Sequence, residues 1–323
     1  MQNEYSFKPR RALGRTGFVA TALGIGDLAD RAVPLGQCVA TVQRALDAGL
    51  NLIDTAPAYE DGYSEEIVGK ALKGRRDEIF VIDKIDNVEE PVAPQIEESL
   101  LRLGLDHTDL FLFHGVSELA VWQRIVRPGG GMDELAQCVR AGKCRFRGVS
   151  SHHPDVLRAA IESGTCDVVM FAVGPFCDRR FVEEILPLAK SRCVGTVCFK
   201  TFGAGKLVAD TAGYGKPLVG ATIARSAPEQ SKIQLVRRSS EDEGGNRKSK
   251  MILPHLSVEE CVHYTLTCDP DVALLGLSFP NEQDAAFEAA SKFKPLSAEQ
   301  MADIRRRAEI AVRDKGACWW NPK

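Results

Sequence analysis

Four side chains that could exchange protons follow short apolar runs in the first part of the chain. Asp54 ends the run Leu50–Ile53, and Tyr59 lies in the polar loop that follows it. Lys84 lies in the segment VIDKID, and His114 lies in the segment LFLFHG. If these four groups lie in one pocket, they could protonate a reacting oxygen and take the proton back in the reverse reaction. Whether they meet depends on the elements that carry them.

The predicted elements alternate between strand and helix along most of the chain. Eight short runs are apolar without alternation, which is typical of parallel strands buried on both faces. Each is followed by a helical pattern, so the sequence predicts an α/β fold, a (β/α)8 TIM barrel. No GxGxxG opens a helix after the first run, which disfavours a dinucleotide-binding doubly wound sheet. The predicted strands are Ala22–Ile25, Leu50–Ile53, Ile79–Ile82, Leu110–Phe113, Phe146–Val149, Val168–Phe171, Gly195–Phe199 and Val272–Leu275.

Three additions to the barrel are predicted. Gly14 and Gly17 flank a turn, which indicates an N-terminal β-hairpin. Residues 203–256 form a long loop after strand seven, at the barrel end where active sites lie. An amphipathic stretch, Ser297–Arg313, predicts an extra C-terminal helix, and residues 314–323 form a tail. Barrels of this length are often one domain, so residues 1–323 are expected to form one.

Composition argues against several classes of partner. The chain has 323 residues, of which 41 are basic and 44 acidic, so nucleic acid and acidic membranes are not expected partners. Its 10 cysteines form no CxxC pair, and no run approaches the ~20 apolar residues of a membrane span. These features predict a cytoplasmic protein with reduced cysteines and no bound metal, and we expect a monomer or small homo-oligomer.

Several motifs together make the chain resemble the aldo-keto reductase family. They cover most of the chain, in order and at suitable spacings. The resemblance implies the same barrel fold and an enzyme that reduces an aldehyde or ketone, sugars included, with NADP(H) or NAD(H). It also implies four catalytic residues, Asp54, Tyr59, Lys84 and His114. The motifs are LGRTG at 13–17, NLIDTAPAY at 51–59, SEEIVGKAL at 64–72, DLFLFH at 109–114, RGVSSH at 147–152 and FGAGKL at 202–207.

Elementary chemistry supports these roles. A free tyrosine has a pKa of about 10 and gives up its proton reluctantly at neutral pH. A lysine cation beside the phenol favours the phenolate, so Lys84 would make Tyr59 a better acid, and Asp54 would keep Lys84 charged and oriented. His114 would donate a hydrogen bond to the substrate oxygen. Tyr59 is thus expected to be the general acid in reduction and the base in oxidation.

The resemblance also implies cofactor contacts, several of them altered. Ser151 stands where the family more often has asparagine, and Met170 stands where it has glutamine. No arginine accompanies Ser278 to pair with a 2′-phosphate, so the choice between NADP(H) and NAD(H) stays open. The expected cofactor-binding residues are Ser150, Ser151, Met170, Phe199, Gly203, Gly205, Lys206, Leu207, Gly276, Ser278 and Gln283.

The substrate rim and two alternative functions complete the interpretation. Asp27, Trp122, Trp319 and Trp320 are expected at the rim. One alternative is a catalytically weak nicotinamide-binding sensor or subunit, which the altered cofactor residues favour. The other is a metal-dependent barrel hydrolase that uses Asp54 and the three histidines His114, His152 and His153, although the first strand lacks a paired histidine motif. His152 and His153 precede a helix with Pro154 in its first turn, which favours structural or rim positions.

Overall fold

Eight parallel strands close into a barrel in the computed structural model, which describes residues 5–26, 31–208, 254–276 and 279–321. Two short antiparallel strands, β1 (Arg11–Ala12) and β2 (Val19–Ala20), precede the barrel as the predicted hairpin. Each barrel strand pairs with the next, and the last pairs with the first, which confirms the predicted (β/α)8 fold. The barrel strands are β3 (Leu23–Gly26), β4 (Leu52–Asp54), β5 (Phe80–Ile85), β6 (Thr108–Phe113), β7 (Cys144–Ser150), β8 (Val168–Ala172), β9 (Gly195–Phe199) and β10 (Val272–Gly276).

Helices follow the barrel strands and cover them, and the predicted C-terminal helix is present. Within the four described ranges, no helix is long and apolar enough to cross a membrane. The helices are α1 (Leu35–Asp47), α2 (Tyr63–Ala71), α3 (Val92–Leu103), α4 (Leu119–Val126), α5 (Gly131–Arg140), α6 (Pro154–Glu162), α7 (Leu186–Ser191), α8 (Val258–Thr267), α9 (Pro280–Ser291) and α10 (Ala298–Ala311).

The helix predicted after β8 is divided in two. Its first part, Phe181–Ile185, is a π-helical turn, and the regular helix α7 begins only at Leu186. Pro187 lacks a backbone N–H and its ring crowds the carbonyl four residues earlier, so the α-helical pattern cannot run through this point. The sequence analysis predicted a helical pattern after this strand and did not allow for this proline.

The long loop after β9 is described only at its two ends. Residues 203–208 and 254–256 are described, and the rest of the predicted 203–256 loop lies outside the described residues. Leu256 N–H donates to Leu207 O at 2.7 Å, and Val208 and Leu256 form a parallel bridge. The two ends of the loop are therefore joined at the barrel. The assignment of residues 1–323 to one domain stays a prediction.

The register of three neighbouring strands brings the predicted acid–base residues to one end of the barrel. Asp54 pairs with Ile82, and Lys84 pairs with Leu112. His114, one residue beyond β6, donates its backbone N–H to Ile85 O at 3.0 Å. The interior below them is closed by an apolar cluster that includes Leu52, Phe80, Ile82, Leu110, Leu112, Val168, Met170, Val197, Val272 and Leu274.

Two carboxyls are buried on the outer side of β5 near a single arginine. Strand alternation turns Asp83 away from Lys84, towards α2 and α3. Glu65 of α2 is fully buried and accepts from Arg102 Nε at 2.5 Å. Asp83 Oδ1 accepts from the Lys84 backbone N–H at 2.8 Å, whereas Oδ2 has no hydrogen-bond partner among the described residues. Burial raises the pKa of Asp83 well above its ordinary value, and the Glu65 carboxylate adds to the rise.

We expect Asp83→Asn to stabilise the protein by about 1 kcal/mol or more at neutral pH. The buried Asp83 carboxyl must bind a proton or remain charged when the protein folds, whereas an amide is neutral in both states. A carboxyl with a raised folded-state pKa contributes stability below its unfolded pKa of about 3.9, and this is lost as pH rises through the folded value. The advantage of Asp83→Asn over wild type in urea unfolding should therefore grow as pH rises above about 4.

The matched control is Asp77→Asn, which makes the same change at an exposed position of the 76–78 turn. It should leave the pH dependence of unfolding as it is in wild type. A stability advantage of Asp83→Asn that shrinks with rising pH would show that Asp83 is ionised in the fold.

Candidate active site

A buried ion pair lies at the centre of the site. Lys84 Nζ donates to Asp54 Oδ1 and to the Thr55 carbonyl oxygen, each at 2.6 Å. The side chains of Lys84 and Asp54 are 1% and 2% exposed. Burial raises the pKa of the Asp54 carboxyl, and the Lys84 ammonium opposes part of that rise. With two acceptors within hydrogen-bonding distance, the lysine ammonium is held in one position.

Tyr59 and His114 complete the predicted set of four. The Tyr59 ring centroid lies 4.6 Å from Lys84 Nζ and 5.7 Å from the His114 ring centroid, with the two rings nearly perpendicular. The loop after β4 reaches this position through a turn in which Tyr59 N–H donates to Ala56 O at 3.1 Å. Tyr59 is partly exposed, and the ion pair behind it is not. The structure thus brings together all four residues predicted from the sequence.

Asp86 is a site residue that the sequence analysis missed. One of its carboxylate oxygens contacts His114 Nδ1, and the other accepts from Ala58 N–H at 2.8 Å. Burial alone would raise the pKa of Asp86, but the contacts with His114 and Ala58 hold it below its ordinary value. The signal was available, because Asp86 follows Lys84 by two residues and strand alternation places both on one side.

Three residues predicted to bind the cofactor have contacts within the protein instead. Ser150 Oγ accepts from Gly115 N–H at 2.8 Å. Ser151 Oγ donates to Val116 O at 2.6 Å and accepts from His153 N–H at 3.0 Å. Met170 is 1% exposed and belongs to the barrel interior, which corrects its prediction as a cofactor residue.

Different groups surround the end of β9. Phe199 is partly exposed, and the His152 ring lies 5.2 Å from it. His152 Nδ1 and Thr201 Oγ1 are buried without a hydrogen-bond partner in the part of the chain that the structure describes. Burial, with help from the nearby Lys200 cation, lowers the pKa of His152 to about 3, so its ring is neutral. An aromatic wall beside unpaired polar atoms fits the nicotinamide end of a dinucleotide.

In the glycine-rich loop after β9, the glycines have the expected conformation, but Lys206 contacts the C-terminal tail. Gly203 and Gly205 have φ of 55° and 81°, a conformation that glycine adopts without strain. Leu207 is fully buried. Lys206 Nζ donates to Ala317 O at 2.5 Å and lies 5.4 Å from the Trp320 ring centroid. Lys206 therefore holds the C-terminal tail, which corrects its prediction as a cofactor-binding residue.

The predicted adenosine end also differs from expectation. Gly276 is exposed at the end of β10, and Ser278 lies outside the described residues. Gln283 is fully buried, where Nε2 donates to Thr41 O at 2.8 Å and Oε1 accepts from Arg44 Nη1 at 3.2 Å. Gln283 therefore joins α9 to α1, which corrects its assigned role. Sequence reasoning found no arginine here, yet α1 places Arg44 at the start of α9.

Among the predicted rim residues that the structure describes, one is exposed beside the site. Asp27 lies outside the described residues, and Trp122 is 2% exposed in the apolar layer between barrel and helices, so Trp122 is not a rim residue. Trp320 is fully buried and donates from Nε1 to Phe176 O at 3.0 Å, which anchors the tail. Trp319 is 45% exposed and its ring lies 4.9 Å from that of His152.

The ligand set proposed for a metal-dependent hydrolase is not assembled. Across the described ranges, no group of three or more His, Cys, Asp or Glu side chains could hold a metal ion. Asp54 is paired with Lys84, and His114 is paired with Asp86.

Comparison with known proteins settles the family. The aldo/keto reductase family model matches residues 21–232, which is more than half of the chain. The chain belongs to the aldo/keto reductase family.

Similar members of the aldo/keto reductase family span most of the chain. L-galactose dehydrogenase of Arabidopsis thaliana is 31% identical over 219 residues, which cover 61% of this chain and 66% of that protein. The holo form of aldo-keto reductase AKR11C1 from Bacillus halodurans superimposes with a TM-score of 0.67 at 23% identity, covering 97% of this chain and 99% of that one. An aldo-keto reductase from Klebsiella pneumoniae, solved in complex with NADPH, gives 0.66 at 19% identity over 93% and 95% of the two chains. At these identities the two structures establish the shared fold.

We expect Lys84→Met to cost about 3–5 kcal/mol in urea unfolding, because it leaves Asp54 buried without its counter-charge. Adding Asp54→Asn should recover part of that loss, since the double variant buries no charge. The result is a coupling energy well above that of an exposed pair.

The control cycle uses Lys70 and Glu66 of α2, an ion pair whose side chains are 51% and 45% exposed. Its coupling energy should be below about 1 kcal/mol. If the losses from Lys84→Met and Asp54→Asn simply add, the two buried groups do not depend on each other.

Proposed function

We propose that this aldo/keto reductase reduces an aldehyde or ketone to the alcohol with NAD(P)H, and that Tyr59 protonates the oxygen. The observation that carries the proposal is the arrangement around Lys84, whose ammonium lies 2.6 Å from Asp54 and 4.6 Å from the Tyr59 ring centroid. A buried cation beside a phenol stabilises the charge left when the phenol gives up its proton.

The reaction needs one hydride and one proton, which come from different groups. When bound, the nicotinamide cofactor supplies the hydride that forms the new C–H bond. Tyr59 gives its hydroxyl proton to the carbonyl oxygen and becomes a phenolate stabilised by Lys84. Asp54 keeps Lys84 charged and fixed, and solvent returns a proton to Tyr59. In alcohol oxidation the phenolate takes the proton from the hydroxyl group.

The residues around β9 support binding of the cofactor's nicotinamide end. Phe199 offers an aromatic face, and His152 Nδ1 and Thr201 Oγ1 offer polar atoms without partners among the described residues. Gly203 and Gly205 allow the backbone to approach the phosphates closely. The relative solved with NADPH supports the same class of cofactor here.

Small aldehydes and sugars are the substrate classes to try first. Similarity to L-galactose dehydrogenase supports a sugar-like substrate, and Trp319 beside His152 offers an aromatic surface on which sugars pack. A second candidate is a nicotinamide-binding protein with little turnover. It is favoured by the contacts of Lys206 and Gln283, which occupy two residues expected to bind the nucleotide.

We expect Tyr59→Phe to lose carbonyl reduction by about 10²–10⁴-fold, because it removes the proton that the reduction consumes. Binding of NADPH or NADH, followed by fluorescence, should stay as in wild type. Suitable probes are 4-nitrobenzaldehyde, methylglyoxal and L-galactose, the sugar being assayed in the oxidation direction.

Tyr63→Phe is the matched control, since it removes the phenol four residues away, which donates to Val33 O at 3.1 Å. Its activity should be that of wild type. Reduction that survives Tyr59→Phe would remove Tyr59 from the mechanism, and nucleotide binding without turnover in wild type would favour the second candidate.

A further inference from the structure

We propose that Lys315 is a positioning residue that holds the glycine-rich loop after β9, residues 200–207, in the conformation that binds the cofactor's pyrophosphate. The inference rests on the proposed function, in which Gly203 and Gly205 let the backbone approach the phosphates. Lys315 belongs to the C-terminal tail and is not among the residues expected to touch cofactor or substrate.

The Lys315 ammonium joins three segments that are far apart along the chain. Its Nζ donates to the carbonyl oxygens of Lys206 and Pro254, each at 2.8 Å. Lys206 belongs to the glycine-rich loop, and Pro254 lies four residues before α8 begins. Lys315 is only 6% exposed, so these contacts are shielded from water. One side chain of the tail therefore ties the loop to the segment that leads into α8.

Reciprocal contacts tie the tail to the same loop. Lys206 Nζ donates to Ala317 O at 2.5 Å, two residues after Lys315. A Cβ added to Gly203 would lie 3.5 Å from Cζ2 of Trp320, so the indole ring lies beside this glycine. The same indole donates from Nε1 to Phe176 O at 3.0 Å. The tail thus holds the loop through two ammonium groups and one anchored ring.

The backbone of the loop needs such support. Besides the two glycines, Lys200 and Ala204 have φ of 72° and 50°, left-handed values that residues with a Cβ rarely adopt. Conformations of this kind persist where the surrounding contacts determine them. The contacts from the tail are therefore expected to select this loop conformation over less strained ones.

The type of side chain at position 315 fits a positioning role. Burial lowers the pKa of the Lys315 ammonium, and a buried ammonium is costly unless its protons are hydrogen-bonded. Both of its acceptors are main-chain carbonyl groups, so the contacts fix the course of the backbone itself. Because the ammonium is engaged inside the protein, we expect it to act on the phosphates through the loop.

A loop that is already held in its binding conformation loses less conformational entropy when a ligand arrives. The effect of Lys315 should therefore be on nucleotide affinity and not on the chemical step. NADPH and NADH share the same pyrophosphate, so both should depend on Lys315 to the same extent.

Lys315→Met tests the assignment, because it removes the ammonium and keeps an apolar stem. The Kd values of NADPH and NADH, measured by fluorescence titration, should rise by the same factor, at least about tenfold. The single-turnover rate of 4-nitrobenzaldehyde reduction at saturating NADPH should stay within about twofold of wild type. Lys315→Arg, which can donate to both carbonyl groups, should recover part of the affinity.

Lys190→Met is the matched control, since Lys190 Nζ donates to Asp269 Oδ2 at 2.9 Å at the opposite end of the barrel. It makes the same change and also breaks a lysine contact, yet it should leave both Kd values as they are. Unchanged Kd values for Lys315→Met would overturn the proposal. A loss confined to NADPH would overturn it too, because the effect would then arise at the 2′-phosphate.

Amide hydrogen exchange of the nucleotide-free protein tests the positioning without a cofactor. The N–H groups of Gly203, Lys206 and Leu207 donate within the loop at 2.8, 3.0 and 3.2 Å. They should exchange faster in Lys315→Met than in wild type, and at the wild-type rate in Lys190→Met. Wild-type exchange in Lys315→Met would contradict the proposal even if affinity falls. If wild type binds neither nucleotide, the proposed function fails, while the exchange rates still decide whether Lys315 holds the loop.

Discussion

The buried ion pair between Lys84 and Asp54 is the constraint on which the site depends. Moving two charges out of water costs several kcal/mol each, and only close partners offset that cost. Here the partners are 2.6 Å apart, and the Thr55 carbonyl oxygen accepts a second hydrogen bond from the ammonium at the same distance. Small shifts between β4 and β5 would leave a charge buried alone. The same contact therefore fixes the positions of Lys84 and Asp54 beside Tyr59.

Much of the four-residue cluster at the barrel end was predictable from the sequence. Parallel strands in a closed barrel end at one rim, so polar residues after three successive apolar runs had to converge. The apolar runs also predicted the barrel, because fully buried strands lack alternation. Asp86 was missed for a different reason. Strand alternation places Asp86 on the same side as Lys84, but its contacts with His114 and Ala58 depend on loop conformations that this alternation does not describe.

The residues predicted to bind the nucleotide were placed less accurately, because two of them have other partners far along the chain. Lys206 follows a glycine-rich turn that is typical of a phosphate site, but its ammonium reaches the Ala317 carbonyl in the tail. Gln283 lies where a polar adenine contact was expected, but it bonds to Thr41 on α1. Proton transfer needs specific groups at specific points, whereas nucleotide binding is spread over backbone and aromatic contacts that can be replaced one at a time.

One measurement tests most directly whether the Lys84–Asp54 pair is catalytic. It is the single-turnover rate of carbonyl reduction in the Asp54→Asn/Lys84→Met variant. Both buried charges leave together in this variant, so the fold and the binding of NADPH should be kept. If the pair activates Tyr59, the rate of 4-nitrobenzaldehyde reduction at saturating NADPH should fall at least about a hundredfold. A rate within about twofold of wild type would show that the pair only supports the fold.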